Sequence, residues 1–184
     1  LREAGYRTAL IGKAHFEPWL GAPEVYFENR MAREGSTGPH RGFDRMELAN
    51  HFFEGHSHYT LFMQREHREQ MRGFYTMTTA AGQQNTAGGG ATGAIQVWDN
   101  PVERGLYHTD WVADRTLAWL ASLPDDADWF VWMSFPDPHH PWDPPASERH
   151  RVDWRALDLP RLYPGSAAAA AGWLADKPPH WRGY

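Results

Sequence analysis

Two side chains near the start of the sequence have types and spacing suited to holding an anion. Lys13 and His15 stand at the end of the short apolar run at 8–13, and residues two apart in an extended chain face the same side. An ammonium and an imidazole directed at one point suit sulfate, phosphate or another oxyanion. Lys13 and His15 are therefore candidate ligands of an oxyanion, and spacing alone leaves open a solvated lysine beside a surface histidine.

A third candidate, His139, follows a second apolar run at 129–135. Pro138 and Pro141 restrict the backbone around His139 and His140, which favours a defined, extended geometry. Adjacent residues of an extended segment point in opposite directions, so we expect only one of the two histidines to face a site. A histidine fixed at the carboxyl end of a strand suits a proton donor near neutral pH. A turn with purely structural histidines is the other interpretation.

The elements that must position Lys13 and His15 are a helix end and a strand. Residues 1–4 are typical of the last turn of a helix that Gly5 ends, and the run at 8–13 predicts a buried strand. Residues 14–58 are expected to be irregular, and 59–75 predicts a helix with a charged middle.

His139 is expected to follow a second helix and strand. Thr109 or Asp110 predicts the cap of a helix that reaches about Leu123. The helix should bury one broad apolar face, composed of Ala113, Leu117 and Leu120 with Val112, Trp119 and Leu123 beside them. The run at 129–135 is apolar nearly throughout, which predicts a central strand covered on both faces. Helix and buried strand thus recur, indicating an α/β layered sheet whose ligands lie beyond the carboxyl ends of its strands.

Composition excludes several classes of protein and site. The chain has 184 residues, about one domain, and its 18 basic against 23 acidic residues argue against a nucleic-acid binder. It has no cysteine, which excludes disulfides, thiolate metal sites and a cysteine nucleophile, and leaves the compartment open. No apolar run approaches the ~18 residues of a membrane span. From the way the sequence begins and stops, we expect an internal part of a longer enzyme.

Three other features favour alternative functions only weakly. A glycine-rich loop at 83–93 lacks the Gly-Lys-Ser/Thr ending of a phosphate-binding loop. His51, His56 and His58 suggest a zinc site, but no second ligand cluster of zinc-like spacing accompanies them. The 10 tryptophans suggest a noncatalytic carbohydrate-binding module. Four of them stand in segments that look like core: Trp111, Trp119, Trp129 and Trp132.

Taken together and in order, the two candidate segments resemble those of the sulfatases. Residues 1–15, with Gly-Lys-Ala-His at their end, are similar to that family's Gly-Lys-x-His segment. Residues 134–141, Ser-Phe-Pro-Asp-Pro-His-His-Pro, resemble its Pro-His-x-Pro segment. Each motif alone is weak, whereas the pair in order is fairly specific. The resemblance covers 1–15 and 108–146, with 16–107 as a long irregular, subfamily-specific insertion and 147–184 as a loop-rich tail.

The resemblance implies an alkaline-phosphatase-like layered sheet with helices on both faces. It also implies hydrolysis of sulfate esters by a formylglycine nucleophile with a bound divalent cation, usually calcium. Lys13 would bind the sulfate oxygens and the formylglycine, and His15 would hydrogen-bond the formylglycine hydroxyls and assist sulfate release. His139 would contact the bridging ester oxygen and help protonate the leaving group, whereas His140 takes the variable position and receives no role.

The chain departs from the family pattern in its nucleophile and metal ligands. The formylglycine motif, Cys/Ser-x-Pro-x-Arg, should precede Gly-Lys-x-His; residues 134–136 begin such a pattern in the wrong place and lack its arginine. Asp99-Asn100 precedes the Pro-His-x-Pro-like segment instead of following it, so we assign it no metal role. Nucleophile and calcium ligands are therefore expected outside this chain.

The implied partners are a sulfated small molecule or glycan as substrate and a formylglycine-generating enzyme for the longer protein. Nucleic acid and a membrane span are not expected. A phosphodiesterase or phosphonate hydrolase of the same superfamily remains the nearest alternative, because Lys and His serve phosphate as well as sulfate.

Overall fold

The computed structural model describes residues 1–17, 26–50, 56–71, 100, 102–148, 150–153, 156–158, 172 and 175. The chain divides into two compact units, Leu1–Arg149 and His150–Tyr184. In the second unit, the described backbone makes turn hydrogen bonds from Ala156 to Asp153 and from Ala175 to Gly172. The loop predicted at 83–93 and a short alanine-rich helix predicted at 167–171 lie outside the described residues.

The described part of the first unit contains short helices and a parallel sheet. Its α-helices are α1 (Phe27–Arg33), α2 (His58–Glu66) and α3 (His108–Ala121), and its strands are β1 (Arg7–Gly12), β2 (Arg45–Leu48) and β3 (Trp129–Ser134). Single 3-10 turns stand at Arg2–Ala4, Arg68–Met71, Arg104–Leu106 and Ala146–Glu148. The strands are parallel in the order β2-β1-β3, so the predicted α/β class is confirmed.

The strand covered on both faces is β1. Ala9 and Ile11 pack in one apolar cluster with α2 and α3, and Leu10 packs in another with Met31 of α1 and Met46 of β2. Successive side chains of a strand point to opposite faces, so β1 has a helix-bearing layer on each side. The prediction of a buried first strand is confirmed.

The prediction of a buried central strand at 129–135 is wrong in its burial. Strand β3 forms at Trp129–Ser134, but it is an edge strand of the described sheet. Val131 packs against the core, while Trp129 is 50% exposed and Trp132 43% exposed. The face with Phe130 and Trp132 is partly covered by aromatic contacts to Phe43, which leaves large rings in contact with solvent. Apolar composition alone did not distinguish such a strand from a central one.

Residues 14–58, predicted to be irregular, contain both α1 and β2. Strand β2 is short, and two of its four residues are charged, which hides it from a search for apolar runs. Glu47 is nevertheless buried, because Arg45 and Arg115 of α3 both pair with its carboxylate. The Arg115 Nη2 lies 2.6 Å from the Glu47 Oε2. Ion pairing therefore places a charged strand in the sheet.

The predicted helix at 59–75 appears as α2 and the following turn, with 72–75 outside the described residues. The Ser57 side chain caps α2 by accepting a hydrogen bond from the Thr60 backbone N–H at 3.0 Å. Gly5 ends the Arg2–Ala4 turn with φ of 88°, as expected of a residue past a helix end. Within the described part, no helix is long and apolar enough to span a bilayer.

Helix α3 forms where predicted, but its cap and its buried face differ. It begins at His108, and neither Thr109 nor Asp110 caps it, because Thr109 donates to Asp137 and Asp110 pairs with Arg104. Leu117, predicted on the apolar face, is 63% exposed. Val112 and Trp119 are buried as predicted, and Leu120 and Leu123 pack partly buried against the core. His108, Trp111 and Thr116 are buried as well, so the buried face extends to aromatic and polar residues and leaves out Leu117.

Candidate functional site

The two candidate segments leave the sheet at the same edge. Strands β1 and β3 pair in parallel along their whole length, with Gly12 opposite Ser134. The Lys13 backbone N–H donates to the Ser134 carbonyl at 2.8 Å, which extends the pairing by one step. Lys13 and the turn at 136–140 therefore both follow the carboxyl ends of neighbouring strands, where α/β proteins bind ligands.

Gly12 makes this close approach possible. Its φ is 113°, and a Cβ atom at this position would lie 1.7 Å from the Ser134 carbonyl oxygen. The same residue ends β1, so the extended alternation expected to carry from Lys13 to His15 stops before it reaches them. Lys13 is half-buried and His15 exposed, and a shared direction of the two side chains stays a prediction.

Lys13, His139 and His140 lie near one another at this edge. Burial lowers the pKa of Lys13, and the carboxylate of Asp137 partly offsets that effect. Burial also lowers the pKa of His140, and the charges of His139 and Lys13 lower it further. His140 is therefore close enough to both Lys13 and His139 for their charges to act on it.

The two histidines lie against each other, and the prediction that they point in opposite directions is wrong. Their ring centroids are 4.1 Å apart with 34° between the planes. The reason is that residues 137–140 form a turn and bend, with the His139 backbone N–H donating to the Pro136 carbonyl at 3.2 Å. Trp142 holds the turn through its Nε1–H, which donates to the Pro138 carbonyl at 3.2 Å.

One hydrogen bond fixes the tautomer of His139. Its Nδ1 lies 2.6 Å from the His140 carbonyl oxygen. A carbonyl only accepts, so Nδ1 carries a hydrogen and Nε2 is the nitrogen that gains and loses a proton. The turn thereby provides a histidine whose Nε2 can act as acid or base.

A buried polar cluster lies near Lys13. The Tyr107 hydroxyl is 3.4 Å from the Oδ1 atoms of both Asp137 and Asp143. Thr109 donates to Asp137 Oδ2 at 3.2 Å, and Asn100 donates to Asp143 Oδ2 at 3.1 Å. Thr109 therefore orients Asp137 and Asn100 orients Asp143, while the single Tyr107 O–H donates to one of the two carboxylates at a time.

Burial alters the acidity of this cluster. It raises the pKa of Asp143 to about 7, an effect that Asp137 reinforces and Asn100 and Tyr107 oppose. It also raises the pKa of Asp137, against the hydrogen bonds of Thr109 and Tyr107 and the charge of Lys13. The pKa of Tyr107 is raised by burial and by both carboxylates, so its hydroxyl stays a donor. Two carboxyl groups thus share a poorly solvated site.

His108 joins the two aspartates in a group that could hold a metal ion. One ligand atom from each of His108, Asp137 and Asp143 lies within 4.8 Å of the other two. Calcium prefers six to eight oxygen ligands, so an imidazole with two carboxylates does not fit the calcium implied by the sulfatase resemblance. Sequence reasoning missed this group because its three residues form no recognised spacing. The available signal was a pair of aspartates within one proline-rich stretch.

The alternative zinc site at His51, His56 and His58 gains no support. His51 lies outside the described residues. His58 has a structural role: its Nδ1 accepts from the Leu48 backbone N–H at 3.0 Å, and its Nε2–H donates to the Ser36 carbonyl at 3.0 Å. Both ring nitrogens are occupied, and burial lowers the pKa of His58, which favours the neutral ring.

The chain matches no protein-family model, no curated protein and no solved structure.

Proposed function

We propose that this chain is part of a sulfuric ester hydrolase of the sulfatase type, with alkaline-phosphatase-like layering around the β2-β1-β3 sheet. The observation that carries the proposal is the parallel pairing of β1 with β3. That pairing delivers the Gly-Lys-x-His and Pro-His-x-Pro-like segments to one edge of one sheet. An anion-binding lysine and a proton-donating histidine then serve the same substrate group.

Lys13 binds the sulfate oxygens in this proposal. Its ammonium is half-buried, and charges act more strongly on each other where water is partly excluded. The carboxylate of Asp137 in the neighbouring turn favours the charged form of Lys13, against the effect of burial on its pKa. His15, on the exposed segment just beyond, is assigned to the release of sulfate.

His139 supplies the proton to the leaving group. The His140 carbonyl holds its Nδ1–H at 2.6 Å, so the protonated ring presents Nε2–H as the transferable proton. The bridging ester oxygen receives that proton as the bond to sulfur breaks, which avoids release of an unstable alkoxide.

The formylglycine supplies the nucleophile in this family and calcium offsets charge on the sulfate oxygens. The described residues fit neither group, so both are assigned to parts of the longer protein outside this chain. The partners proposed with them are a formylglycine-generating enzyme and a sulfated small molecule or glycan.

The test is an assay of the longer protein, produced together with a formylglycine-generating enzyme and supplied with calcium. Aryl sulfates, a phosphodiester and a phosphonate ester are compared as substrates. We expect turnover of the sulfate ester in preference to both phosphorus esters. Preference for the phosphodiester or the phosphonate ester would identify the protein as a phosphodiesterase or phosphonate hydrolase of the same superfamily. Inactivity on all three substrates would refute the proposed hydrolase function.

A further inference from the structure

The strongest unassigned feature is the group formed by His108, Asp137 and Asp143. The three residues come from the first turn of α3, the turn after β3 and the segment beyond it. His108 is 0% exposed and Asp143 1% exposed. Their candidate ligand atoms lie within 4.8 Å of one another. Tetrahedral ligands at ~2.1 Å from zinc stand ~3.4 Å apart, so small side-chain rotations would close the set around an ion.

The surrounding hydrogen bonds resemble the support that metal ligands need. Asn100 orients Asp143 through its Nδ2, and its own Oδ1 accepts from the Val102 backbone N–H at 3.0 Å, which fixes the amide. Thr109 orients Asp137 in the same way, and Tyr107 lies between the two carboxylates. Such outer contacts set the direction of ligating carboxylates and raise metal affinity.

The charge balance of the group favours a cation. Two carboxylates from different segments meet at the Tyr107 hydroxyl, where like charges repel and solvation is poor. Within the described residues, no arginine or lysine forms a salt bridge with Asp143. A bound divalent ion would offset both negative charges at once.

We propose that His108, Asp137 and Asp143 bind a divalent transition-metal ion, with zinc as the best-suited cation. An imidazole with two carboxylates matches the mixed nitrogen and oxygen ligation that zinc accepts, and three protein ligands leave one position for water. The site is separate from the calcium of the proposed sulfatase activity. Its test reads metal binding and stability, so it stands or falls independently of catalysis.

The experiment titrates the 184-residue chain with zinc in competition with a chromophoric chelator. We expect the wild type to bind one equivalent of zinc tightly. The dissociation constant for zinc should be at least tenfold larger in H108Q and in D143N. The matched control is H140Q, which removes an exposed histidine of the neighbouring turn and should bind zinc as the wild type does. Calcium should not compete at concentrations that saturate zinc. The thermal midpoint should rise with zinc in the wild type and in H140Q only.

Two outcomes would overturn the proposal. One is the absence of a stoichiometric zinc site in the wild type. The other is unchanged zinc affinity in folded H108Q and D143N, with loss in H140Q or H139Q, which would place the ion on exposed histidines. Circular dichroism checks that each variant is folded. If both cluster variants unfold, zinc-edge X-ray absorption of the wild-type complex decides: one imidazole with oxygen neighbours supports the site, and two or more imidazoles refute it.

Discussion

The histidines of this chain differ in what their ring nitrogens contact. His58 uses both nitrogens on backbone groups, bridging Leu48 and Ser36, whereas His139 uses Nδ1 on a carbonyl in an exposed turn. The first arrangement fixes a neutral ring and joins two segments of backbone. The second fixes the tautomer of His139 in a turn that follows the carboxyl end of β3.

His58 should make stability depend on pH. Burial lowers its pKa below 6.5, despite the opposing Ser36 carbonyl and Glu47; Arg115 and Arg45 add to the lowering. Below pH 6.5, His58 binds a proton in the unfolded chain but stays neutral in the folded chain. The free energy of unfolding should therefore decrease as the pH falls from 6.5 toward the lower pKa that His58 has in the folded state. Above pH 6.5 this contribution is complete. Urea unfolding across this range measures it.

The H58N variant separates this effect from other titrations. The shorter amide side chain can still accept from the Leu48 N–H but cannot reach Ser36, so we expect a cost of about 1–3 kcal/mol at neutral pH. The difference from wild type should shrink at acid pH, because the variant has no proton to gain at this position. H67N, a change at the end of α2, serves as the control. A difference that stays constant with pH would refute the assigned role.

His139 and His140 should differ sharply in catalysis by the longer protein. If His139 protonates the leaving group, H139Q should lower kcat by about 10²–10⁴-fold on an alkyl sulfate and much less on 4-nitrophenyl sulfate, whose leaving group needs little protonation. H140Q should change kcat only slightly on both. Steady-state kinetics on the two esters measure this, and equal losses for both esters would reject His139 as the acid.

At the scale of elements, the close contact between β1 and β3 depends on one glycine. G12A should destabilise the chain by more than about 4 kcal/mol, since its Cβ would meet the Ser134 carbonyl at 1.7 Å. Gly35 offers a matched control, because it also has positive φ, 71°, but no atom within 4 Å of a Cβ. G35A should cost only about 1–2 kcal/mol from the left-handed backbone. Denaturant midpoints of similar size for both variants would show that the sheet tolerates the contact.

The buried face of α3, which leaves out Leu117, gives a second test of an element. Val112 is fully buried, so V112A should cost about 1.5–3 kcal/mol. Leu117 is 63% exposed, so L117A should lie within about 0.5 kcal/mol of wild type. If Val112 and Leu117 were equally buried on one apolar face, L117A would cost more than V112A, because leucine is the larger side chain. The expected order is the reverse. Urea unfolding of the two variants measures it, and a greater cost for L117A would restore the face expected from the sequence.

Local patterns predicted β1, α3 and the position of β3, because apolar runs and helical spacing are written in adjacent residues. Burial was harder to predict, since it depends on which strands pair and which helix covers them. Strand β2 was not predicted from the sequence, because its burial depends on the pairing of Glu47 with Arg115, which is distant in the chain. Lys13 and His139 were visible as motif residues, whereas His108 and Asp143 become a group only when α3 and the segment after β3 meet.

At the scale of the molecule, the sheet edge carries two groups of ionisable side chains. Lys13 and His139 form one, and the carboxyl groups of Asp137 and Asp143 lie in the polar cluster beside them. The first group is the proposed site of an oxyanion and the second the proposed site of a cation. The Asp137 carboxyl belongs to both, because it acts on Lys13 and also joins the candidate metal group.

The chain alone should not turn over sulfate esters, although the longer protein should. Cleavage needs a nucleophile to take the sulfuryl group, and the chain has no cysteine from which a formylglycine could form. Proton transfer by His139 supplies about 10²–10⁴-fold, well short of the ~10⁶-fold at which enzymatic acceleration begins. An aryl sulfate assay with calcium, run on the purified chain and on the longer protein made with its formylglycine-generating enzyme, measures the difference. Metal-dependent turnover by the chain alone would mean that Lys13, His139 and the cluster at Asp143 assemble a complete site by themselves.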